Sequence, residues 1–137
     1  MYVTDLRLLE NVQRRWTKRI DGLKMLSYAD RLHALKLYSV QGRLLRADLI
    51  QCWKIFNGKS CIAPNELFDL PPQTRTRGHC HKMFQPSTRT DVRKRFFAVR
   101  CIQVWNDLPA FAVCAPNLSN FKGKLETCLH DKLYAYV

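Results

Sequence analysis

Acidic side chains, glycine and long apolar runs are all scarce in this chain of 137 residues. It has 11 Asp and Glu against 23 Lys and Arg, and the formal charge of +12 favours polyanionic partners over acidic small substrates. It has only five glycines and no glycine-rich phosphate loop, which argues against a nucleotide-hydrolysing site of that kind. The longest apolar run covers six residues, 110–115, whereas a membrane helix needs about 20.

The start of the chain does not resemble a secretory leader. Charges at Asp5, Arg7 and Glu10 interrupt any apolar stretch after Met1. We therefore expect an intracellular protein, in the nucleus or cytoplasm, that is neither secreted nor membrane-bound. Its six cysteines lie far apart in the sequence and are expected to be reduced thiols in that compartment.

Positive charge is concentrated in the first hundred residues. Residues 1–100 hold 20 Lys and Arg against 8 Asp and Glu, whereas residues 101–137 hold three of each. The chain is also 47% apolar and 11% aromatic, which is enough to form a core. We expect a folded domain with a basic surface suited to nucleic acid, although solvated surface charge alone is the competing interpretation.

Apolar residues recur at spacings of three and four, which predicts a mainly helical protein. The first helix is predicted over 5–20. Its apolar face, which includes Leu9, Val12 and Trp16, is expected to pack, leaving the cations on another face. Trp16, Trp53 and Trp105 each lie on an apolar stripe, and all three are predicted to be core residues.

The remaining pattern predicts a single domain built as a small helical bundle. Residues 1–58 are expected to form a three-helix cluster, 59–90 a loop segment broken by prolines, and 91–137 two C-terminal helices. One short strand at residues 79–84, as part of a β-hairpin, is a further prediction that the pattern leaves open.

Catalytic patterns are weak throughout the chain. Ser27 to Asp30 reads Ser-Tyr-Ala-Asp, but Arg31 follows where a two-metal site needs a second carboxylate, so a helix cap is the better interpretation. We predict no catalytic residue, no metal ligand and no cofactor, and the chain is not expected to be an enzyme on its own. One alternative stays open, because His79, Cys80 and His81 are soft ligands close together, although they lack the usual spacing of zinc sites.

Arginine-rich clusters are the remaining indication of function. Guanidinium groups pair bidentately with phosphates, so such clusters favour a nucleic-acid backbone. The candidate binding residues are Arg14, Arg15, Lys18, Arg19, Arg75, Arg77, Arg93, Lys94 and Arg95.

Several strings in the chain together resemble one known family. They are LENVQRRWTK (9–18), LSYADRL (26–32), RADLI (46–50) with KIFNG (54–58), RTRGH (75–79), TDVRKRFF (90–97) and VWNDLP (104–109) followed by NFK (120–122). In this order they resemble the C-terminal region of reverse transcriptases from non-LTR, LINE-type retrotransposons. The resemblance covers about residues 5–130.

The resemblance implies a helical thumb and tail of an RNA-directed DNA polymerase. It places the catalytic palm and the endonuclease upstream, so the missing palm is an expected partner, together with the backbone of RNA or an RNA/DNA duplex. It also implies a transposable element truncated at its 5′ end. The alternative is an inert relic, or a structural or interaction protein with no retained activity.

Overall fold

The computed structural model describes residues 2–70, 78–79 and 81–137, and in these ranges the protein is mainly helical, as predicted. None of the described residues forms a strand. The helices are α1 (Val3–Lys18), α2 (Tyr28–Leu35), α3 (Val40–Phe56), α4 (Pro64–Leu67), α5 (Asp91–Arg95), α6 (Phe97–Arg100), α7 (Ile102–Asp107), α8 (Ala110–Val113), α9 (Leu118–Cys128) and α10 (His130–Tyr134).

The chain divides into two compact units. The first comprises Met1–Arg46 with Leu129–Val137, and the second comprises Ala47–Cys128. The first therefore contains α1, α2, the start of α3 and α10, whereas the second contains the rest of α3 and α4 to α9. The predicted boundaries at 58 and 90 do not coincide with this division.

Helix α1 packs in the first unit through polar side chains. Glu10, Gln13 and Thr17 are buried. The Glu10 carboxylate accepts hydrogen bonds from the Tyr28 hydroxyl and, at 2.9 Å, from the Val40 backbone N–H at the start of α3. One carboxylate thus ties α1 to the N-terminus of α3, where negative charge is favoured by the helix dipole.

The predicted packing face of α1 is wrong. Leu9, Val12 and Trp16 are exposed, and Trp16 retains 61% of its accessible surface. The apolar stripe of α1, defined here as Leu8, Leu9, Val12 and Trp16, faces solvent because the neighbouring elements offer hydrogen-bonding groups to the opposite side of the helix.

Helix α2 begins with the predicted cap. The Ser27 hydroxyl oxygen accepts from the Asp30 backbone N–H at 3.2 Å and donates to the Asp30 carboxylate at 2.7 Å. Arg31 is buried and donates to the Leu26 carbonyl at 2.7 Å and to the Thr17 hydroxyl at 3.2 Å. The Ser-Tyr-Ala-Asp string therefore caps the N-terminus of α2. The arginine that follows it links α2 to Thr17 of α1 and to the Leu26 carbonyl.

The second unit has an aromatic core that agrees with the sequence pattern. Trp53 and Trp105 are buried, as predicted. The Phe121 ring lies 5.7 Å from Trp53 and 6.1 Å from Trp105, and the Phe56 ring stacks on Trp105 at 5.4 Å. Aromatic pairs at these separations add to the free energy gained by burying the rings.

The predicted strand at 79–84 does not form among its described residues. The backbone groups of Met83 and the His81 carbonyl bond to side chains of α7, and the Phe84 N–H donates to the Asp69 carbonyl at 2.7 Å. The Asn106 amide bonds both the N–H and the carbonyl of Met83, at 2.9 and 2.8 Å, and the Trp105 indole N–H donates to the His81 carbonyl at 2.8 Å.

The C-terminal part contains more helix breaks than the two helices predicted. Phe96 is extended, with ψ of 137°, and separates α5 from α6, whereas Cys101 separates α6 from α7. Leu129 has ψ of 21° and ends the run of α9 before α10. Periodicity continues across each of these single residues, so the pattern alone could not locate the breaks.

Candidate nucleic-acid interface

A cationic cavity lies at the C-terminal end of α1. Its volume is about 610 Å³. Three of its lining residues, Arg15, Lys18 and Arg19, were predicted from the sequence. The complete lining is Arg15, Lys18, Arg19, Ile20, Asp21, Gly22 and Lys24.

A reversal of the chain after α1 builds this cavity. The Ile20 N–H donates to the Thr17 carbonyl at 3.4 Å, and the Leu23 N–H donates to the Ile20 carbonyl at 3.1 Å. Gly22 has φ of +81°, a conformation that residues with a Cβ rarely adopt. These turns bring Lys24 to the cavity, a residue that was not among the candidates predicted from the sequence.

Arg14 differs from the other candidates of α1. Its guanidinium carbon lies 4.8 Å from the Tyr28 ring centroid and 5.4 Å from that of Tyr136, and its carbonyl accepts from Arg31 at 3.3 Å. The side chain is half-buried. Arg14 therefore stabilises the first unit through cation–π contacts with the Tyr28 and Tyr136 rings, and it does not line the cavity.

The second predicted cluster lies at the end of α5, in the second unit. Arg93 and Lys94 are exposed, and Arg95 is half-buried. The Arg93 guanidinium carbon is 5.3 Å from the Phe96 ring centroid, and the Lys94 ammonium is 4.0 Å from the Asp91 carboxylate. An exposed ion pair of this length contributes little free energy, so Lys94 is available to another anion.

Arg100 is part of the same arginine-rich stretch but is engaged within the protein. Its Nε and Nη2 donate to the two carboxylate oxygens of Asp48 at 2.7 and 2.8 Å, and its Nη1 donates to the Arg95 carbonyl at 3.0 Å. The Asp48 carboxylate raises the pKa of Arg100 further. This cation stabilises α3 against α6.

The predicted candidates Arg75 and Arg77 lie outside the described residues, as does Cys80. Of the three residues named for a zinc site, His79 and His81 lie within the described ranges. His79 is buried, and its Nδ1 accepts from the His81 N–H at 3.2 Å while its Nε2 donates to the Trp105 carbonyl at 2.9 Å. Both ring nitrogens are thus in use, and burial lowers the pKa of His79 and of His81.

Two further features concern the described ranges 2–70, 78–79 and 81–137. Within them, no three His, Cys, Asp or Glu side chains are grouped closely enough to hold a metal ion. None of the helices described combines the length and the hydropathy required to cross a membrane.

At the end of α1 the structure thus brings three of the predicted cations together with Lys24 around one cavity. Comparison with known proteins finds no matching family model, no matching curated protein and no matching solved structure.

Proposed function

We propose that the chain binds the sugar-phosphate backbone of nucleic acid without sequence preference, through the cationic cavity at the end of α1. The observation that carries the proposal is the convergence of Arg15, Lys18, Arg19 and Lys24 on one concave surface. Two of the four are arginines, whose guanidinium groups can donate two parallel hydrogen bonds to the oxygens of one phosphate.

The electrostatics of the cavity suit a phosphate. Asp21 also lines it, so its four cations and one carboxylate give a local excess of three positive charges. Phosphate contacts of this kind fix a protein on a nucleic acid but do not discriminate between bases. The proposal therefore concerns RNA, DNA or their hybrid alike, and it assigns no reaction to this chain.

The family resemblance supports the same function. A polymerase thumb lies against a template-primer duplex and contacts phosphates from a rigid helical support, as α1 would. We propose accordingly that the chain represents the thumb and tail of a non-LTR reverse transcriptase, with the absent palm as its partner.

The test is the salt dependence of binding to a fluorescein-labelled RNA/DNA duplex, followed by anisotropy. If four phosphates are contacted, the logarithm of the association constant should fall with the logarithm of salt concentration at a slope of about 2.8 to 3.6. Binding that is independent of salt, or absent at low salt, would contradict the proposal.

A matched pair of double variants locates the binding surface. Arg15→Gln with Arg19→Gln removes two charges from the cavity and should lower the slope by about 1.4 to 1.8. Arg7→Gln with Lys132→Gln removes the same charge from exposed positions that do not line the cavity, and should leave the slope unchanged. Equal effects of the two pairs would mean that the overall charge binds, and not this cavity.

The exposed apolar stripe of α1 favours a second candidate, a structural or interaction role without nucleic-acid binding. Large apolar side chains grouped on a surface are a common feature of association sites. Sedimentation velocity of the purified chain tests this candidate. Self-association that is abolished by Leu9→Ser with Val12→Ser, together with failure to bind the labelled duplex, would favour it over the first proposal.

A further inference from the structure

Trp16 is the exposed tryptophan of this protein. It retains 61% of its accessible surface, whereas Trp53 retains 2% and Trp105 none. A tryptophan left in solvent loses the favourable free energy of burying a large ring. A partner that covers the Trp16 ring would gain this free energy on binding.

Trp16 is next in the sequence to a residue that lines the cationic cavity. Trp16 follows Arg15 in the last turn of α1, and Arg19 and Ile20 come three and four residues later, directly after the end of the helix. All three of these neighbours line the cavity. An exposed aromatic ring thus adjoins, along the chain, the residues that line a concave array of cations.

We infer that this surface binds single-stranded nucleic acid, with an unpaired base stacked on Trp16 and the adjoining phosphates in the cavity lined by Arg15, Lys18, Arg19 and Lys24. The inference rests on the proposed function and adds the strand form that is preferred. A backbone-tracking basic groove with an aromatic stacking platform is the arrangement by which proteins bind single strands without sequence preference.

Single strands fit this surface better than duplexes. The bases of a duplex are stacked on one another, so their faces are not available to a side chain except at an end. An unpaired base can leave the stack and cover the indole, because no base pair is lost when it does so.

Charge and shape favour nucleic acid over two other occupants of the ring. A second copy of the chain would bring Arg15 and Arg19 of both copies together around the stripe, and like charges at short range repel. An anionic bilayer presents its phosphates on a broad surface, whereas a single nucleic-acid strand can follow a concave one. Both occupants are outcomes of the test below.

The experiment follows tryptophan fluorescence at low salt while a 15-residue oligodeoxythymidine is added. Because Trp53 and Trp105 are buried, a change in emission on binding reports Trp16. We expect quenching by the single strand, saturating with the binding curve, and little quenching by a blunt duplex of 15 base pairs. Iodide quenches the fluorescence of exposed tryptophan, and bound oligonucleotide should reduce this quenching of Trp16.

Variants separate stacking from apolar contact. Trp16→Leu keeps an apolar side chain and a good helix former but removes the ring, and should weaken single-strand affinity about tenfold, in line with measured values for one stacked base. Trp16→Tyr should recover part of the loss. Val12→Ala is the matched control, since Val12 is exposed on the same stripe without a ring, and it should have no effect.

The results that would overturn stacking on Trp16 differ from those that would overturn nucleic-acid binding by the cavity. If anisotropy shows salt-dependent binding but Trp16 is not quenched, or Trp16→Leu weakens duplex and single strand equally, the proposed function stands and this inference is overturned. A blue shift with vesicles of phosphatidylserine and phosphatidylcholine, without quenching by the oligonucleotide, overturns it in favour of a membrane surface. Concentration-dependent dimers that bury Trp16 without nucleic acid overturn it in favour of a second copy.

Discussion

Trp16 and Thr17 are adjacent in α1, yet Trp16 is mostly exposed and Thr17 is fully buried. Thr17 is held by the protein, since its hydroxyl accepts from Arg31 at 3.2 Å and donates to the Arg14 carbonyl at 3.1 Å. This pair shows which side of α1 the first unit uses. The helix is fixed by polar contacts and presents its apolar stripe to solvent.

Glu10→Ala should destabilise the protein by about 3 kcal/mol, because it leaves the buried Tyr28 hydroxyl and the Val40 N–H without their acceptor. Burial and the bond to Glu10 raise the pKa of Tyr28 well above its usual range, so this hydroxyl keeps its proton to donate. Leu9→Ala, on the exposed stripe, should change stability by no more than about 0.5 kcal/mol. Urea unfolding followed by circular dichroism measures both, and a larger loss for Leu9→Ala would contradict the orientation of α1.

Two helical glycines should respond oppositely to alanine. A Cβ at Gly42 would collide with the backbone carbonyl of Leu133 in α10, whereas a Cβ at Gly123 in α9 would meet no atom within 4 Å. Gly42→Ala should therefore cost about 3 kcal/mol through overpacking against backbone. Gly123→Ala should stabilise by about 0.5 to 1 kcal/mol, because alanine restricts the unfolded chain. Thermal unfolding of the two variants gives the comparison, and equal effects would mean that α10 does not approach α3 at Gly42.

Stability should fall as the pH drops below about 6.5. Burial lowers the pKa of His79 and of His81 beneath the value of about 6.5 expected in the unfolded chain. Between the lowered pKa and 6.5 the unfolded chain binds more protons, so protonation favours unfolding and the full contribution is present only above 6.5. Protonated His79 would also lose the bond that Nδ1 accepts from the His81 N–H.

The double variant His79→Gln, His81→Gln isolates this effect from other acid-sensitive groups. We expect its urea midpoint to be lower than that of the parent at pH 8 and to change less between pH 8 and pH 5. A parent protein whose midpoint is the same at both pH values would contradict the assignment.

Cys52 and Cys101 should resist alkylation in the folded protein. Their sulfur atoms are 3.4 Å apart and buried. The hydrogen bond to Cys101, together with burial, raises the pKa of Cys52 far above the ordinary thiol range. Because the thiolate is the reacting form, iodoacetamide should label exposed Cys61 first, as read by peptide mass mapping. Labelling of Cys52 at the rate of Cys61 would show that this part of the core opens readily.

Much of the helical framework could be predicted from the sequence. The Ser27 cap, the end of α3 at Asn57 and Gly58, and the buried positions Trp53, Trp105 and Phe121 follow from spacing and turn chemistry. These features depend on contacts within a few residues or on one apolar stripe, which local periodicity reports directly. The predicted strand at 79–84 did not form among its described residues, because side chains of α7 bond the Met83 backbone and the His81 carbonyl.

The site was only partly predictable. Arg15, Lys18 and Arg19 were selected as a dense cluster, and the structure groups them with Lys24. Arg14 belongs to the same cluster in the sequence, but its direction depends on Tyr28 and on Tyr136, which lies more than a hundred residues away. No spacing rule reports such a contact.

The sequence by itself determined that this protein is mainly helical and strongly basic, since both properties are sums over local residues. Only the tertiary structure decided which face of α1 is buried. An apolar stripe shows that a helix is amphipathic, but the neighbouring elements decide which side of the helix is buried. Here the buried side of α1 forms hydrogen bonds with three residues of those elements. Glu10 bonds Tyr28 and Val40, Gln13 bonds Tyr28, and Thr17 bonds Arg31. Each of those polar groups would cost about 1 to 3 kcal/mol if it were buried unpaired, and the orientation of α1 that pairs them leaves Trp16 in solvent.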